Sequence, residues 1–307
     1  MNHPGDRLGL LFAVLGAVGF SFKAILIKLA YPYGVDAVTL LALRMGLSLP
    51  FFLALGFADG RRRQHAKLSG RDLALMAGLG FTGYYMASYL DFLGLQYISA
   101  ALERLILFAY PTLVVVFSAL FLGKPITRRA LACIGLCYAG IALAVAHDLH
   151  IAGSARDVWI GGGLVFGSAV SYALYLMGNG QAVVRLGAAR TTAWASAIAC
   201  LLCLGHFAAT RPLGLLVQPA PVMGLAVAMA LFSTVLPVWM VSEAIRRLGA
   251  GPVSLIGTLG PVVTLFLGWL ILAEPIGLFQ ILGGALVVSG VVLVGRKGAE
   301  RKNPAQG

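Results

Sequence analysis

Four ionisable residues stand deep inside stretches that are otherwise apolar: Lys23, Arg44, Glu103 and Arg104. In hydrocarbon each costs about 2.5–3.5 kcal/mol even on a lenient insertion scale, so each needs a partner, water or a ligand. Counting back from the stretch ends at about 1.5 Å per residue puts all four at one level, roughly 9–14 Å below one surface. Three stretches supply them, and their charges sum to +2. Such a group forms a shared polar chamber, in which an ion pair leaves two cations for an anionic ligand group or water screens the set. The competing reading is a structural bridge from Glu103 to Arg44 or Lys23. Tyr110 lies seven residues from Glu103 and so on the same helical face, while Arg104 is turned about 100° away. Tyr85, Tyr172 and Tyr175, well inside their stretches, and Trp239 are candidate contacts for an organic substrate, although many membrane aromatics only anchor at the interface. Lys28 and Asp91 fall near stretch ends, where a charged head reaches the surface and needs no ligand.

The elements that carry these residues are membrane spans. Hydrophobic residues make up 60% of the 307 and charged ones only 11%, against about 25% charged in a soluble domain; mean hydropathy is +0.91. Crossing about 30 Å of hydrocarbon takes roughly 20 apolar residues in a helix. Ten such runs are expected, over 8–30, 36–57, 72–92, 97–121, 129–146, 159–179, 191–209, 221–244, 251–272 and 277–295. The first is too long for a signal-peptide core and lacks a small-residue cleavage site, so it is read as retained. The fold class is therefore an all-α integral membrane protein.

Residues 111–143 overlay on 261–293 at an offset of 150. Pro111, Leu120, Leu122, Pro125, Ile126, Leu136, Gly140 and Leu143 recur as Pro261, Leu270, Leu272, Pro275, Ile276, Leu286, Gly290 and Leu293. Five spans per half is an odd number, so two similar halves enter from opposite faces and form inverted five-helix repeats. The expected units are 8–146 and 159–295, joined by a linker at 147–158 and followed by a basic tail at 296–307. Pro111 lacks an amide proton and frees the carbonyl of Leu107; Pro261 does the same for Gly257, beside Gly260. Pro237, after Ser233 and Thr234, makes a third expected break. Freed carbonyls at mid-membrane are tolerated where they face protein, water or substrate, so these residues are candidate hinges.

The net charge of +12 does not mark nucleic acid. With the N-terminus in the cytoplasm, seventeen Lys and Arg fall in cytoplasmic segments, Arg61–Arg63, Lys124, Arg246 and Lys297 among them, and only Arg156 and Arg211 on the other side. That bias is expected to place both termini in the cytoplasm, for a protein integral to the cell (inner) membrane. The expected partners are a small molecule and the lipid bilayer, for a monomer or homodimer. Cys133/Cys137 and Cys200/Cys203 have helical spacing, but no His or carboxylate lies near to complete a metal site; they read as small packing residues. No cofactor is called for. No HExxH and no Ser/His pair at a shared depth speaks for catalysis, so a carrier is expected rather than an enzyme, with a channel or scaffold as the third class.

The stretches SFKAILIKLAY (Ser21–Tyr31), ALERLILFAYP (Ala101–Pro111) and LGPVVTLFLGWLILAEPIG (Leu259–Gly277) resemble the EamA domain of the drug/metabolite transporter superfamily. Two such domains would cover almost the whole chain. The resemblance implies a ten-helix carrier, often an exporter of amino acids or other small metabolites, with alternating access around a cavity between the first, third, fourth, sixth, eighth and ninth spans. Multidrug and nucleotide-sugar or organic-anion carriers share that architecture. One departure is Lys124 before Pro125, where such proteins often carry an acid, as at Glu274-Pro275 here.

Overall fold

The computed structural model describes residues 4–62, 69–123, 125–151 and 154–300. The expected basic cluster at Arg63–Lys67, Lys124 and the tail beyond residue 300 lie outside the described residues. Among those described, every long element is a helix and no strand occurs, as hydrocarbon demands of a chain that cannot leave backbone groups unpaired. In order they are α1 (Pro4–Ala30), α2 (Ala37–Arg62), α3 (Gly70–Leu79), a π-turn (Gly80–Met86), α4 (Ala87–Gly94), α5 (Ala100–Leu107) and α6 (Tyr110–Leu122). Then come α7 (Arg128–Ile151), α8 (Ala155–Leu186), α9 (Ala188–Thr210), α10 (Ala220–Ala230) and a second π-turn (Leu231–Val235). The chain ends with α11 (Leu236–Leu248), α12 (Ala250–Gly257), α13 (Gly260–Leu272) and α14 (Leu278–Glu300). Eight helical stretches are long and apolar enough to cross a membrane, and Leu278–Leu293 is a shorter apolar helix. The expected span at 72–92 is the π-interrupted run from α3 to α4, which carries Arg71, Asp72 and Asp91.

Both prolines interrupt their helices where expected. α5 stops at Leu107 and α6 starts at Tyr110; α12 stops at Gly257 and α13 starts at Gly260. In each gap the backbone tightens, with Ala109 N bonded to Ile106 O at 2.9 Å and Leu259 N to Ile256 O at 3.0 Å. The break before Pro237 is the second π-turn, and Pro237 itself is buried. The first π-turn, 150 residues earlier, has no proline to announce it. The segment 147–158, expected as a linker, is mostly helical: α7 runs on to Ile151 and α8 begins at Ala155.

Packing exchanges the two halves. α2 lies on α9 and α7 on α14; α1 lies along α10 and α11, while α8 lies along α3 and α4. α1 also meets α12 and α13, as α8 meets α5 and α6. The α7–α14 contact is so close that only glycine fits. A Cβ on Gly140 would stand 2.5 Å from the carbonyl of Gly283, and one on Gly290 would stand 2.9 Å from that of Cys133. Residues 133 and 283 are themselves 150 apart, so the contact is reciprocal to the residue. Cys133 and Cys137 are buried here as packing residues, the latter's thiol 3.6 Å from Val287 O.

One end of the bundle carries the start of α1 and the end of α11, since Gly9 packs on Leu248. At the other end short turns join α1 to α2 and α4 to α5. There Asp36 caps α2 by accepting from the amides of Val38 at 3.0 Å and Thr39 at 3.3 Å, and Arg211 Nε donates to it at 3.2 Å.

Candidate functional site

The interior charges do meet, with one addition. Lys23 of α1 donates from Nζ to Asp91 Oδ2 of α4 at 2.5 Å and stands 3.5 Å from Glu103 Oε1 of α5. Asp91 is 1% exposed and Glu103 fully buried. The expectation that Asp91 reaches the interface is corrected: α4 continues to Gly94 and packs between α2 and α8, which holds the carboxylate inside. Of the two bridges expected for Glu103, that to Lys23 forms. Both Glu103 oxygens and Asp91 Oδ1 remain buried without a hydrogen-bond partner.

The guanidinium groups are placed differently. Arg44 of α2 donates from Nε to Thr234 Oγ1, in the second π-turn, at 2.8 Å and lies 5.5 Å from the centre of the Phe92 ring. Arg104 of α5 reaches Ser21 Oγ at 3.5 Å and lies 5.6 Å from the Phe108 ring centre. Ser21 Oγ in turn stands 3.2 Å from the carbonyl of Gly260, beside the second helix break. Arg44 Nη1 and Arg104 Nε are buried and have no acceptor.

These groups surround a cavity of about 550 Å³. Its wall is drawn from α1, α2, the first π-turn, α4, α5, α6, α8, the second π-turn, α11 and α12, and includes Lys23, Arg44, Asp91, Arg104, Tyr110 and Tyr172. Every span that the family resemblance named contributes, and the second adds Arg44. Tyr172 meets Tyr110 edge to face at 5.1 Å. The lining extends from the charged group to Ala13, Val241, Ile245 and Val253, toward the end where the chain starts. The π-turns matter because each inserts an extra residue and re-aims its flanking faces. Gly83, in the first, lets the Tyr175 ring pass where a Cβ would stand 2.4 Å from it.

Other expected residues lie elsewhere. Tyr175 is 5% exposed and stands behind the wall, bonded through its hydroxyl to that of Tyr84 at 3.1 Å. Tyr85 points to α9, its hydroxyl 2.9 Å from His206 Nδ1. Trp239 is 52% exposed and edge-on to Phe12 at 5.3 Å, on the outside of the bundle. Glu103 sits behind Lys23 rather than on the wall. Of the candidate hinges, Gly257 lines the cavity, Gly260 is held against Arg104, and Pro261 is buried. The sequence singled out Arg44, Lys23 and Arg104 by charge alone, whereas Asp91 and Ser21 are legible only once α1, α4 and α5 are in contact.

A second polar cluster lies at the end of the bundle opposite the start of α1. Glu274, between α13 and α14, accepts from the amides of Ala100 at 2.9 Å and Ala101 at 3.4 Å, the first turn of α5. Lys28 Nζ donates to Ile98 O at 2.8 Å, 4.0 Å from Glu274 Oε1. Asp148 Oδ2 accepts from Ser99 Oγ at 2.8 Å, and Gln280 Nε2 donates to Asp148 Oδ1 at 3.0 Å.

The profile of the EamA-like transporter family matches residues 7–146 and again 159–296. Among curated proteins, the uncharacterized transporter YcbK of Bacillus subtilis (strain 168) is 31% identical over 283 residues, 90% of this chain and 88% of its own. The uncharacterized transporter YyaM of the same organism is 27% identical over 256 residues, 82% of each chain. A solved structure described only as the crystal structure of a protein shares the fold, with a TM-score of 0.63 at 20% identity over 96% of this chain and 98% of that one. Charged residues gathered around a cavity inside an all-helical membrane bundle are what a transporter needs, and with the profile matching twice along almost its full length, the chain belongs to the EamA-like transporter family.

Proposed function

We propose that the protein is a carrier that exports small metabolites such as amino acids by alternating access around the cavity between its two halves. One observation carries this reading. Lys23, Arg44, Asp91 and Arg104 all line one cavity inside a bundle of largely apolar helices, and intramembrane charges so placed mark a substrate pathway. The reciprocal packing of the halves supports a ten-span fold of two inverted five-helix repeats, in which the halves rock about a central site. The charge bias of the loops supports cytoplasmic termini in the inner membrane, so the cavity lining extends toward the cytoplasm. The chain works as a monomer or homodimer without cofactor, and carries out no catalysis.

Reconstitution tests this function. Purified protein in proteoliposomes, presented with radiolabelled amino acids, organic acids, nucleosides and cationic drugs, is expected to give saturable flux for one class, accelerated by the same compound on the opposite side. Flux that rises without saturation would make it a channel, and no flux for any class would remove the carrier reading. Orientation is tested with cysteines introduced at Leu149 and Gly307 in intact cells. An impermeant reagent is expected to reach position 149 and not 307.

A further inference from the structure

We propose that the transported molecule carries a carboxylate, and that Arg44 and Arg104 hold it. The inference rests on the carrier reading and deepens it. Around the cavity stand three cations, Lys23, Arg44 and Arg104, and two acids, Asp91 and Glu103. Lys23 is committed to both acids, at 2.5 and 3.5 Å. Neither guanidinium has a carboxylate within ion-pair distance among the described residues, and each keeps a buried N–H without an acceptor, at Arg44 Nη1 and Arg104 Nε. Both side chains are more than nine-tenths buried, and both line the cavity. A buried unmet donor on a charged group is expensive to leave unmade. The ring contacts with Phe92 and Phe108, at 5.5 and 5.6 Å from ring centre to guanidinium carbon, use up no N–H of either group. A carboxylate is the acceptor that suits such donors. It would also neutralise the single positive charge that remains when both acids are ionised. The rest of the wall, Phe20, Leu107, Leu176 and Val238 among it, suits an apolar body. Amino acids and simple monocarboxylic acids share this chemistry, while organic cations would meet two unpaired guanidiniums.

Matched ligands separate the cases. Leucine, 4-methylpentanoate and 3-methylbutylamine have similar bodies and carry a zwitterion, an anion and a cation; L-phenylalanine, 3-phenylpropanoate and phenethylamine form a larger set. Thermal melting of the purified protein is expected to rise with the carboxylates and stay level with the amines. A simple acid outranking its amino acid marks monocarboxylates as substrate, and the reverse order marks amino acids. Arg44→Gln and Arg104→Gln are each expected to weaken the apparent Kd about tenfold or more, and the double variant to abolish the shift. Each single variant should melt no lower than the parent without ligand, because it removes an uncompensated buried charge. Stabilisation by the amines, by no carboxylate, or undiminished in the double variant overturns the proposal. Binding of carboxylates without flux in proteoliposomes would instead remove the carrier reading and leave the headgroup assignment standing.

An independent observation concerns the closed end. Glu274 belongs to the second half and caps α5 of the first through the amides of Ala100 and Ala101. The residue 150 positions earlier in the sequence is Lys124, a base where the second half carries an acid. An ammonium has no lone pair to offer amide donors and is repelled by a helix N-terminus. We infer that Glu274 is a one-sided latch, which biases the protein toward the conformer closed at this end. Spin labels at Tyr97 and Leu278, exposed on either side of the contact, read the gap directly. Glu274→Gln is expected to shift the distance distribution to longer separations, and Lys124→Glu, which gives the first half the acid that the second half carries, to do the same by stabilising the alternative conformer. A distribution unchanged by both substitutions overturns the latch.

Discussion

Replacing Lys23 by Met removes the only cation within ion-pair distance of Asp91 and Glu103 among the described residues and leaves two carboxylates, 1% and 0% exposed, facing each other's charge. Breaking a buried pair by deleting one partner costs about 3–5 kcal/mol. The Lys23 side chain is 15% exposed, so the lower end applies, about 3 kcal/mol. At about 2–4 °C of Tm per kcal/mol for a chain approaching this size, Lys23→Met should melt roughly 6–12 °C below the parent in detergent. Adding Asp91→Asn removes one of the stranded charges and keeps the side-chain shape. The double variant should therefore recover part of the loss, with a coupling of about 1–3 kcal/mol between the two positions. The assay is thermal unfolding of the two singles, the double and the parent in one detergent. Lys23→Met melting with the parent, or strictly additive losses, would show that water rather than Lys23 balances the acids, and the account of the charged wall would fail.

Pro111→Ala and Pro261→Ala return an amide donor to the carbonyls of Leu107 and Gly257, so each should cut flux in proteoliposomes with little change in Tm; lost folding with normal flux per folded molecule would make the prolines packing residues. Gly140→Ala drives a Cβ to 2.5 Å from the Gly283 carbonyl, a backbone atom with no easy escape, and should cost about 1–3 kcal/mol in melting measurements. Asp36, though partly desolvated, is held below the usual carboxylate pKa by its bonds from Thr39 and by Arg211. Its stabilising contribution is thus present above about pH 3.9, the value in the unfolded chain, and lost as pH falls through the lower folded value. Asp36→Ala should cost about 1 kcal/mol at neutral pH and less as the medium is acidified; an undiminished cost in acid would contradict the assignment.

The duplication and the paired helix breaks were legible because proline acts locally: it removes one amide wherever it stands. The chamber was legible in part, since burying Lys23, Arg44 and Arg104 in apolar stretches has a cost that depends on residue type and position alone. Asp91 escaped because distance from a span end says nothing of its surroundings, which are set by α1, α2 and α8, distant in sequence, and by α5 across a short turn. Lys28 shows the same effect, bound to Ile98 O across the turn between α4 and α5. Trp239 was named for its ring alone, and its face could not have been read from a helical period. A π-turn at Leu231–Val235 adds one residue to the helix, and one residue turns the following face by about 100°. No regular period carried through that turn could tell wall from lipid side. Tyr85 lies inside the matching turn, Gly80–Met86, and turns to His206 instead of the cavity.

Alternating access is the central claim, and Ser88 on the cavity wall offers the most direct test of it. Cys133, Cys137, Cys200 and Cys203 are first replaced, and Ser88→Cys is then reconstituted and exposed to a membrane-impermeant thiol reagent from each face in turn. The account predicts labelling from both faces. It also predicts that a crosslink joining residues 97 and 278, both changed to cysteine and oxidised before labelling, abolishes labelling from that face and leaves the other untouched. Labelling from neither face, or from one face alone without any crosslink, would contradict it.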